Sequence, residues 1–351
     1  MNDYFSNLNE TIKQYFNILS DEIPDFLYDY INTPEMQKQN GISVSCGTIY
    51  SKMYNQMWYS SLDHSVAVSL IVWHFTKDKK QTLAGLFHDI ATPVFKHCID
   101  FMNKDYETQE STEELTTKII KRSKEIMGLL ERDKIQIEEV NNYHIYPIAD
   151  NDTPQLAADR LEYTLSNGLG ATQKIWELNE IEKIYKNIEI QKNEDGIEEL
   201  GFKDKEIAEK FVHAVSMLSS MYRRGKTKFS MQFLADIMKK MSEKNLITIN
   251  DLYNLSEKEV IHKIENCKEN KIDECFKIWK NATKINESDI KVNDKYCVNI
   301  DKVKIRYINP LVRNKDNFIR VNKISDMANQ DIEKALNYKT KKYAYLNFDF
   351  K

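Results

Sequence analysis

The sequence predicts a mainly α protein, and three observations carry that expectation. Glycine and proline are sparse, 9 and 6 residues in a chain of 351, which argues against a turn-rich all-β or collagen-like fold. Hydrophobic residues at 41% and aromatics at 11% are too many for a disordered polymer and enough for a sizeable core. Apolar positions recur at helical spacing along most of the chain. The length suits one large or two modest domains.

Residues 1–39 read as a helical lead-in, with Tyr4, Phe5, Leu8, Ile12, Tyr15, Phe16, Ile18 and Leu19 at helical spacing and a second short run after Pro24. The stretch from Asn40 to Ser61 mixes Gly41, Gly47 and serines with Tyr50, Tyr54, Met57, Trp58 and Tyr59. It reads as loop with a short helix, its aromatics covering the core or lining a pocket. An apolar helix is expected from Leu62 to Phe75, and after the polar turn 76–80 another that begins at Gln81 and carries LAGLFHDIA. Residues 112–132 and 154–186 are amphipathic, whereas the charged, glycine-containing 187–204 reads as an exposed connection. A helix pair follows at 204–222 and 229–243. Next comes a turn and a helix that starts at Ser256, a cap answered by Glu259 three residues on. After Ile285 the pattern alternates like strands over 295–312 and 341–350, around a short helix at 331–338. The expected organisation is therefore a lead-in (1–39), a helical body (40–285) and a small C-terminal α+β element (286–351), whose strand edges could support a homo-oligomer.

Lys+Arg 50 against Asp+Glu 54 leave a net charge of -4, so no global basic field is present and duplex nucleic acid is not an expected partner. The N-terminus lacks a basic start and an apolar h-region, and no stretch reaches the roughly 18 apolar residues of a membrane span. The expectation is a soluble, cytoplasmic chain with no membrane partner. Five scattered cysteines, never in a CxxC pair, give neither a disulfide framework nor a structural zinc site.

The residues that carry chemistry are His64, the doublet His88–Asp89, and Asp159, each expected inside an apolar helix. Singly, each reads as a hydrogen-bonded core residue. Together, two imidazoles and two carboxylates are costly to bury unless something satisfies them, and a divalent transition ion (Mn, Fe, Ni, Co or Zn) would do so with positions left for water or phosphate oxygen. His74, His213 and His262 are assigned structural roles, and Arg223-Arg224-Gly225-Lys226 reads first as a solvated helix end.

This set resembles the HD-domain superfamily of metal-dependent phosphohydrolases over roughly residues 40–285, with His64, His88–Asp89 and Asp159 on the metal positions. HDIATPVFKHCID is similar to the deoxynucleoside-triphosphate triphosphohydrolase branch, where the doublet is followed by Pro-x-Phe-Ser-His and then Asp, which places His97 and Asp100 on the matching positions. DRLEY is similar to that branch's Asp-Lys/Arg-x-Asp-Tyr segment and implies Arg160 and Tyr163 near phosphate and sugar. Three positions depart from the pattern. Ser61 stands near where the branch has Arg, Gln109-Glu110 where it has His next to Glu, and Asn167 where it has Asp near the sugar. The resemblance implies hydrolysis of a nucleotide or related phosphate ester by metal-activated water. His97, Asp100 and Arg160 would then be catalytic, and Tyr163, Asn167, Gln109 and Glu110 would touch substrate. The departures favour monophosphates and other small esters over long triphosphates. Two alternatives stand beside this reading: a nucleotide-sensing module without turnover, and a di-iron oxygenase drawing on His97 and His144.

Overall fold

The computed structural model describes residues 4–103, 115–299 and 303–350. Three helices lead in: α1 (Glu10–Leu19), α2 (Asp25–Ile31) and α3 (Pro34–Lys38). Ile12, Tyr15, Phe16 and Leu19 of α1 are buried against the body, so the lead-in belongs to the first of two hydrophobic cores. The centre of that core is a helical hairpin, α4 (Ser61–Thr76) and α5 (Lys79–Phe87). Ser60 and Asp63 form a reciprocal cap that starts α4, and Tyr4 donates to Asp63 at 2.6 Å, tying the N-terminus to the same point. Lys77, in the left-handed region, ends α4, and Asp78 caps α5 by accepting from the amides of Lys80 and Gln81. Leu62, Val66, Val68, Leu70, Ile71 and Val72 are fully buried, each contributing about 1.5–3 kcal/mol.

Beyond the hairpin run α6 (Cys98–Asn103), α7 (Thr116–Arg122), α8 (Lys124–Asp133), α9 (Ala158–Ser166) and α10 (Leu178–Lys186). Within the amphipathic stretch 112–132 the described residues form two helices, because Ser123 leaves helical geometry to cap α8 through Ile126. The segment expected to be an exposed connection is instead a hairpin, β1 (Ile188–Lys192) and β2 (Glu198–Phe202), with Leu200 and Phe202 fully buried. Its alternation of apolar and charged residues is a half-buried strand pattern that the charge content masked.

The long pair α11 (Lys205–Tyr222) and α12 (Gly225–Glu243) follows, then α13 (Ile249–Asn254), α14 (Glu257–Glu265) and α15 (Ile272–Asn281). The cap at Ser256 is a full reciprocal box with Glu259. The C-terminal segment supplies β3 (Asn286–Ser288), β4 (Tyr296–Val298), β5 (Leu311–Asn314), β6 (Asn317–Arg320), α16 (Asp326–Asn337) and β7 (Tyr343–Leu346). It does not stand apart from the helices. One sheet has the order β1-β2-β5-β6, with β2 and β5 parallel, so the sheet crosses the boundary expected at 285. The other, β3-β7-β4, packs with Phe348 and Phe350 on the second core, built mainly from α12 to α15. The fold is mainly α with small sheets toward the C-terminus. The five cysteines are free, as their spacing implied. Among the described residues no helix is long and apolar enough to cross a membrane.

Candidate metal centre and its cavity

His64 lies 13 residues before the turn residue Lys77 and His88 lies 11 after it, so an antiparallel hairpin rising about 1.5 Å per residue brings both to nearly the same level. The doublet sits at the C-terminal end of α5 rather than within it, as His88 is the residue that caps the helix. Asp159 comes in from the first turn of α9, where a carboxylate is favoured by the helix dipole, and its amide is held by the Ala149 carbonyl at 3.2 Å.

The four converge. His64 Nε2 is 3.1 Å from His88 Nε2, 3.1 Å from Asp159 Oδ1 and 3.9 Å from Asp89 Oδ2. His88 Nε2 is 3.8 Å from both carboxylates. One donor atom each from His64, His88 and Asp89 lie within 4.8 Å of one another, a group that could hold a metal ion and the one such group among the described residues. The far sides of the rings test the fit. His88 Nδ1 donates to the Gly85 carbonyl at 2.7 Å, and His64 Nδ1 meets Glu162 Oε2. A carbonyl and a carboxylate only accept, so each Nδ1 carries hydrogen and each Nε2 is left to face the cluster. Two lone pairs facing each other at 3.1 Å repel unless a cation or proton lies between them, and this donor set suits a divalent transition ion.

Glu162, which the sequence reading missed, stands behind His64. It is fully buried one turn beyond Asp159, and besides His64 it accepts from Tyr59 at 2.7 Å and Tyr15 at 3.3 Å. A glutamate inside an apolar helix, three residues after a candidate ligand, was the available signal. Burial pushes the His64 imidazole down, but Glu162 and Asp159 outweigh it and raise the pKa to about 10. Burial likewise works against the Asp159 carboxylate, yet the hydrogen bond and charge of His64 hold it well below the usual range. Asp89 is also low despite burial, chiefly because Lys96 is beside it, Nζ to Oδ2 2.5 Å. Lys96, another residue missed, reaches Asp89 from a turn in which Phe95 and Lys96 both have positive φ, 61° and 43°. Gly47 makes room for that turn, since a Cβ there would meet Phe95 Cδ1 at 2.7 Å.

Of the remaining expected site residues, His97, Arg160, Tyr163 and Asn167 line one cavity of about 790 Å³. His97 lines it, its Nδ1 2.8 Å from Oδ2 of the buried Asp100, which orients the ring. Arg160 also lines it, but its Nε donates to the Gln155 carbonyl at 2.8 Å and its NH2 to Asn151, so the guanidinium holds the loop before α9. Tyr163 faces the cavity, with burial raising its hydroxyl to about 12. Asn167 donates to the Tyr163 carbonyl at 2.6 Å and receives Thr172, holding the turn that ends α9. Gln109 and Glu110 lie outside the described residues. His144 lines the cavity too, Nδ1 2.6 Å from Asp150 Oδ2. His213 pairs with Asp331 at 2.8 Å across α11 and α16, and His262 meets Asn266, the residue that caps the end of α14. Among the described lining residues, eight Lys or Arg (96, 160, 174, 223, 224, 226, 304, 306) oppose four Asp (89, 150, 152, 159), against a net charge of -4 for the whole chain.

Comparison with known structures defines the fold class. A hypothetical protein from Aquifex aeolicus superposes with a TM-score of 0.64 at 15% identity, covering 93% of each chain. A phosphohydrolase from Bacteroides thetaiotaomicron superposes with a TM-score of 0.61 at 15% identity, covering 92% of this chain and 96% of its own. In sequence, the chain is similar to the uncharacterized protein YdhJ of Bacillus subtilis, 25% identical over 145 residues, which are 41% of this chain. The match spans 43% of YdhJ, less than half its length. No family model matches the chain.

Proposed function

We propose that this chain is a metal-dependent phosphohydrolase of the HD-domain type, acting on a nucleotide or related phosphate ester. The observation that carries the reading is the convergence of His64, His88, Asp89 and Asp159, with both imidazoles locked so that Nε2 faces the cluster. The likeness in fold to a phosphohydrolase supports it, as does a cationic cavity of about 790 Å³, a volume ordinary for a small-molecule site. His64, His88, Asp89 and Asp159 would hold a divalent transition ion, Mn, Fe, Ni, Co or Zn. When bound, that ion supplies polarisation of the phosphoryl group and a water of lowered pKa.

The chain's own groups do the rest. His97, with Nδ1 engaged by Asp100, directs its other nitrogen away from that carboxylate and delivers a proton to the leaving oxygen. Burial lowers the His97 pKa, which eases release of that proton near neutral pH. Glu162 fixes the His64 ring, and Arg160 fixes the loop that leads into Asp159. Tyr163 and Asn167 form part of the substrate wall.

One observation favours a second reading, a nucleotide-sensing module without turnover: Lys96 pairs with Asp89 at 2.5 Å and so competes with a cation for that carboxylate. Hydrolysis separates the two. Protein loaded in turn with Mn²⁺, Ni²⁺, Co²⁺ and Fe²⁺ is expected to cleave at least one of a panel of nucleoside mono-, di- and triphosphates, with phosphate, pyrophosphate and triphosphate read separately. Tight nucleotide binding with no release of any of the three would leave the sensor.

A further inference from the structure

Residues 303–310, which lead into β5, contribute to the cavity wall, although they lie far along the chain from every candidate ligand. Val303 packs on the second core, while Tyr307 packs on the first and Ile308 is fully buried. The Asn309 amide donates to the Pro154 carbonyl at 2.9 Å, and Arg320 NH1 donates to the Asn309 carbonyl at 3.1 Å. Arg320 in turn pairs with the fully buried Glu199 at 2.6 Å, and Glu199 accepts from the Leu156 amide at 3.1 Å. The segment is thereby clamped to the loop that precedes α9 and its Asp159. Residues 303–306 line the cavity, and Arg306 among them is half-buried. The positive charge of Arg306 reaches His97, Tyr163 and Tyr222: it adds to the lowering that burial imposes on His97 and offsets part of the rise that burial imposes on the two tyrosines. Beside the doublet stands the buried Ser61, not an arginine, its Oγ 3.4 Å from Asp89 Oδ2.

We propose that Arg306 is a substrate-binding residue, gripping phosphate oxygens on the His97 side of the cavity, with Lys304 adding charge at the same wall. This rests on the phosphohydrolase reading. A planar guanidinium matches two phosphate oxygens at once, and a partly desolvated one binds them more strongly than a solvated lysine. The C-terminal α+β part is then a component of the substrate site, and the helical body binds metal without binding phosphate well.

The test is calorimetric titration of full-length, Mn²⁺-loaded protein with inorganic tripolyphosphate and with inorganic phosphate. It compares wild type, Arg306→Gln, Arg306→Lys and Arg313→Ala, the last removing a cation that pairs with Glu189 outside the cavity. The expected result is that Arg306→Gln weakens tripolyphosphate binding about 10–100-fold, the loss of a charged hydrogen bond. Arg306→Lys should retain part of the affinity, Arg313→Ala all of it, and metal content should be equal throughout. Tripolyphosphate affinity unchanged in Arg306→Gln overturns the proposal, and so does a parallel loss of bound metal, which would make Arg306 structural. Wild-type protein that binds neither probe would instead overturn the phosphate reading itself.

Discussion

At the His64–His88 end of the cavity, each imidazole is fixed from behind by a group with its own anchor. His64 leans on Glu162, which Tyr59 and Tyr15 hold, and His88 leans on the Gly85 carbonyl. At the cationic wall, Lys304 and Arg306 sit on a segment between strands, Arg224 is exposed at the start of α12, and Lys226 rests over the Tyr54 ring. The first end consists of short side chains held within or at the ends of packed helices, and the second of long side chains at loops and helix ends. A site that must present bare nitrogens at fixed separation needs rigidity, whereas a site that attracts phosphate needs charge within reach.

The sharpest way to divide the two ends is to remove a group that belongs to neither. His97→Ala should lower kcat by roughly 10²–10⁴ while elemental analysis finds metal unchanged, because a lost proton donor slows the chemistry without touching the cluster. Loss of metal in that variant would place His97 in the rigid end instead. A smaller effect is expected from Glu162→Gln, which keeps the shape but removes the charge behind His64. Metal affinity should fall about 10–100-fold in a competitive chelator titration, with tripolyphosphate affinity of the loaded protein retained. An unchanged metal affinity would show that the support behind His64 is dispensable.

The smallest expected effect concerns Glu257, fully buried beside the strained turn that carries Lys96, among Tyr50, Cys46, Lys38 and Lys96. Burial raises its carboxyl to about 8, so the folded chain holds a proton that the unfolded chain releases above the ordinary range of about 4.5. Stability from this group is full at low pH and is lost as pH rises from about 4.5 through 8. Glu257→Gln should therefore leave Tm nearly unchanged at pH 5 and raise it by a few degrees, roughly 2–5 °C, at pH 9. An equal shift at both pH values would contradict a buried proton there.

The contrast between the two ends also explains what could be read in the sequence. His64, His88, Asp89 and Asp159 stand out because polar residues interrupt or directly follow apolar runs in the sequence, the local signal that is easiest to read. The hairpin α4–α5 and the Ser256 cap were legible for the same local reason. Glu162 was hidden behind the more conspicuous Asp159 and Arg160 in DRLEY. Lys96 was hidden because only its backbone, at positive φ, turns it toward Asp89. Arg306 carried no signal at all. A lysine or arginine between strands looks like solvated surface until β2 and β5 pair and draw the segment across the cavity. The hairpin at 188–202 was missed because its charge masked the strand alternation, and the burial of its second strand depends on β5, more than 100 residues away.

The central claim is that four side chains from two separate parts of the chain form one metal site. Metal content of protein purified without chelator, compared between wild type and Asp89→Ala at matched folding by circular dichroism, tests it most directly. The account predicts about one transition ion per wild-type chain and a severalfold loss or more in Asp89→Ala. Equal metal content in the two, or none in either after reconstitution with Mn²⁺, Fe²⁺, Ni²⁺, Co²⁺ and Zn²⁺, would contradict it.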